Sequence, residues 1–156
     1  MRRDCLDLLN GEEEEQGQKR ILFVCTGNSS RSQMAEALLR HMAGGRYEAH
    51  SAGTEPQHEV NPFVVEVLQE RGIDTGQLHP KNARLFMNQR FDTIVILCDT
   101  ARETCPVLPD AARVVHWSIE DPAAHQESYF DILSKFREVR DELEGRIQRE
   151  LVQDIG

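Results

Sequence analysis

A cysteine and an arginine six positions apart are the residues of this chain best suited to chemistry. Cys25 follows the apolar run ILFV, and Arg31 ends a loop of small and polar residues that leads into a helical pattern. Such a loop directs backbone N–H groups and the positive end of the helix dipole toward one point. Arg31 adds a planar guanidinium that binds two oxygens of a tetrahedral oxyanion. The segment therefore predicts an oxyanion-binding loop with a thiol nucleophile at its floor.

The predicted loop comprises Thr26, Gly27, Asn28, Ser29, Ser30, Arg31 and Ser32. The charges and dipoles that attract an anion also stabilise a thiolate, so we expect the pKa of Cys25 to be depressed and the thiol to be reactive near neutral pH.

Two further cysteines, Cys98 and Cys105, lie seven residues apart in CDTARETC. A helix would separate their Cα atoms by on the order of 10 Å, whereas a disulfide needs about 7 Å or less. The two thiols can therefore join only if the segment unwinds, which its poor helix formers and the following Pro106 favour. Each cysteine alone fits a structural role, but the pair together predicts a redox function.

Strands and helices alternate along the chain. Strands are predicted at Ile21–Val24, Tyr47–Ser51, Thr93–Leu97 and Arg113–His116, and helices at Arg31–Met42, Phe63–Arg71, Phe130–Val152 and, as a short element, within Leu78–Gln89. This alternation predicts a single α/β domain with a four-stranded parallel sheet and helices on both faces. Cys25, Cys98 and the segment after His116 then share the carboxyl edge of the sheet, where such folds bind ligands.

Composition narrows the class of protein. The 156 residues fit one domain, and a net charge of −9 argues against a nucleic-acid partner. No apolar run approaches a membrane span, so we expect a cytoplasmic protein. We also expect it to be a monomer. Residues 1–18 hold four consecutive glutamates and are expected to form a disordered acidic tail, with Cys5 as an incidental thiol. The catalytic domain is predicted to span residues 19–153.

The motifs together resemble a known family over about residues 20–150. The loop from Cys25, Ser51-Ala52-Gly53, the Cys98 and Cys105 pair, and His116-Trp117 ahead of Asp121-Pro122 are similar to those of the thioredoxin-coupled arsenate reductases. These enzymes share the fold of the low-molecular-weight protein tyrosine phosphatases. Gln33 resembles the reductase branch, because the phosphatase branch usually has proline there.

The resemblance implies a relay of three thiols. Cys25 attacks arsenate, Cys98 attacks Cys25 with release of arsenite, and Cys105 moves the disulfide to Cys98–Cys105. A thioredoxin-type dithiol then reduces that bond, so no resident cofactor is expected. Phosphate and sulfate are the expected competing oxyanions. Asp121 is the expected general acid, although Asp-Pro is also ordinary turn chemistry.

Several residues are expected to support the loop. The resemblance suggests that Asn28 and Ser51 hold it open and that Ser32 hydrogen-bonds the thiolate, although local capping would explain each equally well. In some relatives the counterpart of Glu36 helps to bind potassium. Lys81 is expected to supply that positive charge itself, so no metal is predicted.

The same residues also fit two alternative functions. The first is a low-molecular-weight protein tyrosine phosphatase that works through a phosphocysteine. Its usual aromatic residues after Asp-Pro are missing, because Ala123 and Ala124 follow Pro122. The second is a non-enzymatic redox or oxyanion sensor based on Cys98 and Cys105.

Overall fold

A parallel sheet organises the part of the chain that the computed structural model describes, residues 18–97, 108–124 and 128–152. The strands are β1 (Lys19–Cys25), β2 (Tyr47–Gly53), β3 (Arg90–Ile96) and β4 (Asp110–His116), in the order β2-β1-β3-β4. All three pairings are parallel. The predicted sheet is therefore confirmed, and each strand is longer than predicted.

The register aligns the carboxyl ends of the strands. Cys25 pairs with Gly53, while Val24 lies opposite Ile96, which in turn lies opposite His116. The nucleophile predicted from sequence therefore emerges at the edge where parallel sheets bind their ligands. Residues 21–25 of β1 are all buried, as expected for a central strand covered on both faces.

The helices are α1 (Arg31–Ala43), α2 (Pro62–Gln69) and α3 (Tyr129–Ile147). α1 packs on β1 and β2 and contacts α3, which also contacts α2. On β2, Ala49 and Ser51 face α1, whereas His50 points to the opposite side and packs on Phe86. Phe86 belongs to the 3-10 turn Ala83–Phe86, which therefore packs on the face of β2 opposite α1.

Two predicted helices differ from the observed elements. Leu78–Gln89 contains only the turn Ala83–Phe86, because Pro80 disfavours helix before it and Asn82 accepts a capping hydrogen bond from the Arg84 N–H at 2.9 Å. The final helix is α-helical only to Ile147 and ends in a π turn over Gln148–Val152, where the Tyr47 hydroxyl donates to the Leu151 carbonyl.

Asn61 caps α2, since its side chain accepts from the Phe63 N–H, and the helix ends at Gln69 rather than at the predicted Arg71. The predicted acidic tail lies outside the described residues, apart from Gln18. No helix in the described ranges is long and apolar enough to cross a membrane.

An arginine of α3 ties that helix to α2. Arg140 is 6% exposed, and its guanidinium donates to the Val67 carbonyl at 3.0 Å and to the Glu70 carboxylate at 2.8 Å. Its Nε atom donates to Asp141 at 2.9 Å. Arg137 binds the same Glu70 carboxylate, but its side chain is 45% exposed.

Replacing each of these two arginines compares the stability contributed by a buried ion pair with that contributed by an exposed one. We expect Arg140→Ala to lower the free energy of unfolding by about 3 kcal/mol, since a buried carbonyl and an ion pair lose their partner. Arg137→Ala is expected to cost less than about 1 kcal/mol, because solvent screens that pair. Urea unfolding of both variants measures the difference, and equal losses would contradict it.

Candidate active site

Cys25 lies at the floor of the loop between β1 and α1. Its sulfur is 2.9 Å from the Ser32 hydroxyl oxygen. The Asn28 side-chain amide donates to that same oxygen at 2.7 Å. Because Asn28 supplies one proton to the Ser32 oxygen, the hydroxyl proton of Ser32 is free to point at the sulfur. The expected hydrogen bond between Ser32 and Cys25 is therefore present.

The loop carbonyls are bonded away from the site. The segment Thr54–Asn61 runs alongside the loop and donates four backbone N–H groups to it. These bonds join Thr54 to Cys25 O at 3.3 Å, Glu55 to Thr26 O, Gln57 to Gly27 O and Asn61 to Ser29 O, the last three at 2.9 Å. Because these carbonyls point to one side, the N–H groups of the loop can donate hydrogen bonds to an anion on the other side.

Asn28 anchors the middle of the loop. It is fully buried, with a φ of 49° in the left-handed region, which asparagine tolerates better than most residues. Its side-chain oxygen accepts from the Lys81 backbone N–H at 2.7 Å. The Gln33 amide nitrogen lies 2.9 Å from Asn28 O and 2.8 Å from His79 O. Gln33 thereby connects the loop to the segment that carries Lys81.

Arg31 is held at the rim of the loop. Its Nη1 atom donates to the Ile119 carbonyl at 3.0 Å, and its Nη2 atom lies 3.6 Å from the Asp121 carboxylate. The Asp121 side chain also accepts from the Ala123 N–H at 2.9 Å, which fixes its rotamer. The Arg31 side chain is 12% exposed and that of Asp121 is 42% exposed, so the carboxyl stands nearer solvent.

Glu36 is a buried carboxylate behind the loop. It accepts a hydrogen bond from the Ser51 hydroxyl and pairs with Arg40 at 2.6 Å. The Lys81 ammonium lies 3.6 Å from the same carboxylate and also donates to the His79 carbonyl. Burial lowers the pKa of Lys81, while the Glu36 charge acts in the opposite direction. Lys81 thus brings a positive charge to Glu36, as the sequence predicted.

Burial raises the pKa of the Cys25 thiol. Hydrogen bonds from the Ser32 side chain and backbone, the Arg31 charge and the Asn28 N–H all lower it. The expectation of a depressed pKa is wrong, because the loop encloses the sulfur so completely that lost hydration outweighs these contributions. The hydrogen-bond donors of the loop therefore offset part of the rise in pKa that burial causes.

A cavity of about 370 Å³ unites most of the predicted residues. It is lined by Cys25, Thr26, Gly27, Asn28, Ser29, Ser30, Arg31, Gln57, Asn61, Asp121 and Ala123. Cys98 and Cys105 lie outside the described residues. Trp117 is buried as a packing residue, with its indole N–H donating to Glu150 at 3.1 Å.

Sequence reasoning missed Gln57 and Asn61 as lining residues. Asn61 carried only a helix-capping signal, and nothing around Gln57 marks it, since its contact with the loop arises from the path of the chain after β2. Among the described residues, no group of three or more His, Cys, Asp or Glu side chains is arranged to hold a metal ion.

Gly53 allows β2 to approach the loop closely. A Cβ atom at this position would lie 2.5 Å from the Thr26 carbonyl oxygen and 2.9 Å from the Asn28 Cβ. We expect Gly53→Ala to displace the loop and lower the melting temperature. Bound phosphate should also protect Cys25 less well against an alkylating reagent. Gly45→Ala is the matched control, because its added Cβ meets nothing within 4 Å. Unchanged protection in Gly53→Ala would rule out this packing constraint.

The Ser32 hydrogen bond has a measurable effect on titration. Ser32→Ala removes a donor that favours the thiolate, so the pKa of Cys25 rises further and less thiolate exists at any given pH. The pH midpoint of Cys25 alkylation is expected to move upward by about one pH unit. Ser30→Ala, which removes a hydroxyl not bonded to the sulfur, should leave this midpoint in place. A downward movement in Ser32→Ala would refute the assignment.

Known proteins share this sequence and fold. The low molecular weight phosphotyrosine protein phosphatase family matches residues 20–156. The arsenate reductase of Halalkalibacterium halodurans is 39% identical over 130 residues, which are 83% of this chain and 93% of that protein.

Two solved structures are also similar. The arsenate reductase of Archaeoglobus fulgidus has a TM-score of 0.66 at 35% identity, with 83% of this chain and 96% of that chain covered. The thioredoxin-dependent arsenate reductase of Corynebacterium glutamicum has a TM-score of 0.64 at 30% identity, and the match covers 88% of this chain and 61% of that chain. On these matches, this chain belongs to the arsenate reductase branch of the low molecular weight phosphotyrosine protein phosphatase family.

Proposed function

We propose that this protein is an arsenate reductase that binds arsenate in the Cys25 loop and is regenerated by a thioredoxin-type dithiol. The observation that carries the proposal is the convergence on one cavity of a buried sulfur, an arginine and a loop whose carbonyls are bonded outward. The curated relatives named arsenate reductase support the choice of substrate.

The first step forms a bond between sulfur and arsenic. The Cys25 thiol loses its proton, and the Ser32 hydroxyl and the Arg31 charge stabilise the resulting thiolate. The thiolate attacks arsenic, and one arsenate oxygen departs as water after accepting protons, one of them from Asp121. Arg31 and the loop N–H groups stabilise the negative charge that builds up on the remaining oxygens. Asp121 lies beside Arg31 and is therefore well sited for this proton transfer.

The second step reduces arsenic. The Cys98 thiolate attacks the Cys25 sulfur, the electron pair of the sulfur–arsenic bond passes to arsenic, and arsenite leaves. Cys105 then attacks Cys98, which forms the Cys98–Cys105 disulfide and returns Cys25 as a thiolate. Support comes from the strand register, since Leu97, the residue before Cys98, donates a hydrogen bond to Val24, the residue before Cys25, at 2.9 Å.

A dithiol protein of the thioredoxin type reduces the final disulfide in this scheme. The support is the similar protein from Corynebacterium glutamicum, which is described as thioredoxin-dependent. The relay needs no resident metal or organic cofactor, and its reductant fits a reducing compartment such as the cytoplasm.

Phosphatase activity is the second candidate, because the family is named for phosphotyrosine phosphatases and the Cys25, Arg31 and Asp121 set would suit them. Among the described residues, however, those lining the cavity include no aromatic side chain to flank a tyrosine ring. Tyr129 instead directs its hydroxyl to the Glu66 carboxylate at 2.7 Å. The lining favours a small inorganic oxyanion.

A coupled assay tests the relay. Purified protein is given arsenate, thioredoxin, thioredoxin reductase and NADPH, and NADPH loss is followed. We expect Cys98→Ser and Cys105→Ser each to abolish multiple turnover, since each removes one transfer of the disulfide. Cys5→Ser is the matched control and should retain turnover.

Hydrolysis of an aryl phosphate by the same variants separates the two candidate functions. Continued NADPH-dependent turnover in both relay variants would eliminate the three-thiol scheme. Aryl phosphate hydrolysis without any arsenate turnover in the unaltered protein would favour the phosphatase.

A further inference from the structure

The side chain of Ser30 is a buried hydroxyl that the mechanism above does not use. Ser30 is 5% exposed, lies immediately before α1 and lines the cavity together with Cys25. Within the described ranges, its hydroxyl oxygen has no hydrogen-bond partner. Buried hydroxyls almost always have a partner, since leaving one unpaired opposes folding.

Helix capping does not account for this hydroxyl. Serine before a helix normally accepts a hydrogen bond from a backbone N–H of the first turn. Ser128 does so at the start of α3, where its Oγ atom accepts from the Asp131 N–H at 3.2 Å. Ser30 occupies the equivalent position in α1 but makes no side-chain cap. Its hydroxyl is therefore not engaged in stabilising the helix.

A neighbouring group shares the same property. Arg31 Nε is also buried and without a partner among the described residues, although the two terminal nitrogens of that guanidinium contact Ile119 and Asp121. Ser32, another hydroxyl of the loop, is already engaged by Cys25 and Asn28. Two unpartnered donors on consecutive residues thus border one cavity, which is the arrangement that a bound anion would satisfy.

We infer that the Ser30 hydroxyl is a direct ligand of the tetrahedral oxyanion and donates a hydrogen bond to one of its oxygens beside Arg31. The inference rests on the proposed function only in that the loop binds an oxyanion. It adds a side-chain donor to the backbone donors of the loop. Arsenate, phosphate and sulfate all present acceptor oxygens of this kind.

Thermal unfolding tests the inference with phosphate and sulfate as probes. The melting temperature of the full chain is measured without anion and at rising concentrations of each, and the increase gives the dissociation constant. Ser30→Ala is expected to leave the melting temperature without anion at or above that of the unaltered protein, since no cap is lost. The dissociation constants for both anions should rise about tenfold, because a hydrogen bond to a charged ligand disappears.

Ser128→Ala is the matched control, a capping serine outside the site. It should lower the melting temperature without anion and leave both dissociation constants unchanged. The opposite patterns of the two variants distinguish a ligand from a cap. A Ser30→Ala variant that is destabilised or unfolded without anion, or that binds phosphate as tightly as the unaltered protein, overturns the inference. Failure of the unaltered protein to bind either anion would instead count against the oxyanion site itself.

Discussion

The site depends on the direction in which one short stretch of backbone presents its polar groups. The carbonyl of Cys25 and three carbonyls of the loop accept hydrogen bonds from the segment Thr54–Asn61, so they are held away from the cavity. That segment reaches the loop because Gly53 lets β2 pass within contact distance of Thr26 and Asn28. A peptide unit cannot rotate without exchanging its donor and acceptor sides. Fixing the carbonyls on one side therefore fixes the attraction for an anion on the other.

Attraction at the site must be local, since the protein as a whole carries a net charge of −9. The overall field repels an oxyanion, and the Asp121 carboxylate adds a negative charge 3.6 Å from the Arg31 guanidinium. Backbone donors and one guanidinium act over a few ångströms, where that field is a small contribution. The raised pKa of Cys25 belongs to the same balance, because the enclosure that strengthens these contacts also disfavours a charged sulfur.

Much of the fold followed from short apolar runs and the residues that end them. The apolar runs ILFV and TIVIL were recognisable as buried parallel strands. Since Cys25 directly follows the first run, this was enough to place it at the carboxyl edge of the sheet. The short helix predicted within Leu78–Gln89 is only the 3-10 turn Ala83–Phe86, because Pro80 and the Asn82 cap limit where a helix can begin. Gln57 was missed because its place beside Gly27 depends on tertiary path rather than on local pattern. The predicted direction of the pKa shift of Cys25 was wrong, because the spacing of a motif indicates which donors surround a sulfur but not how deeply the sulfur is buried.

The contact between Lys81 and Glu36 has a consequence for how the protein responds to its surroundings. A carboxylate buried behind a functional loop needs a counter-charge, and a dissolved cation would supply it only in proportion to its concentration. Here the counter-charge is covalently part of the chain, reinforced by Arg40. It cannot diffuse away, so the positive charge that faces Glu36 does not depend on the cation concentration of the medium.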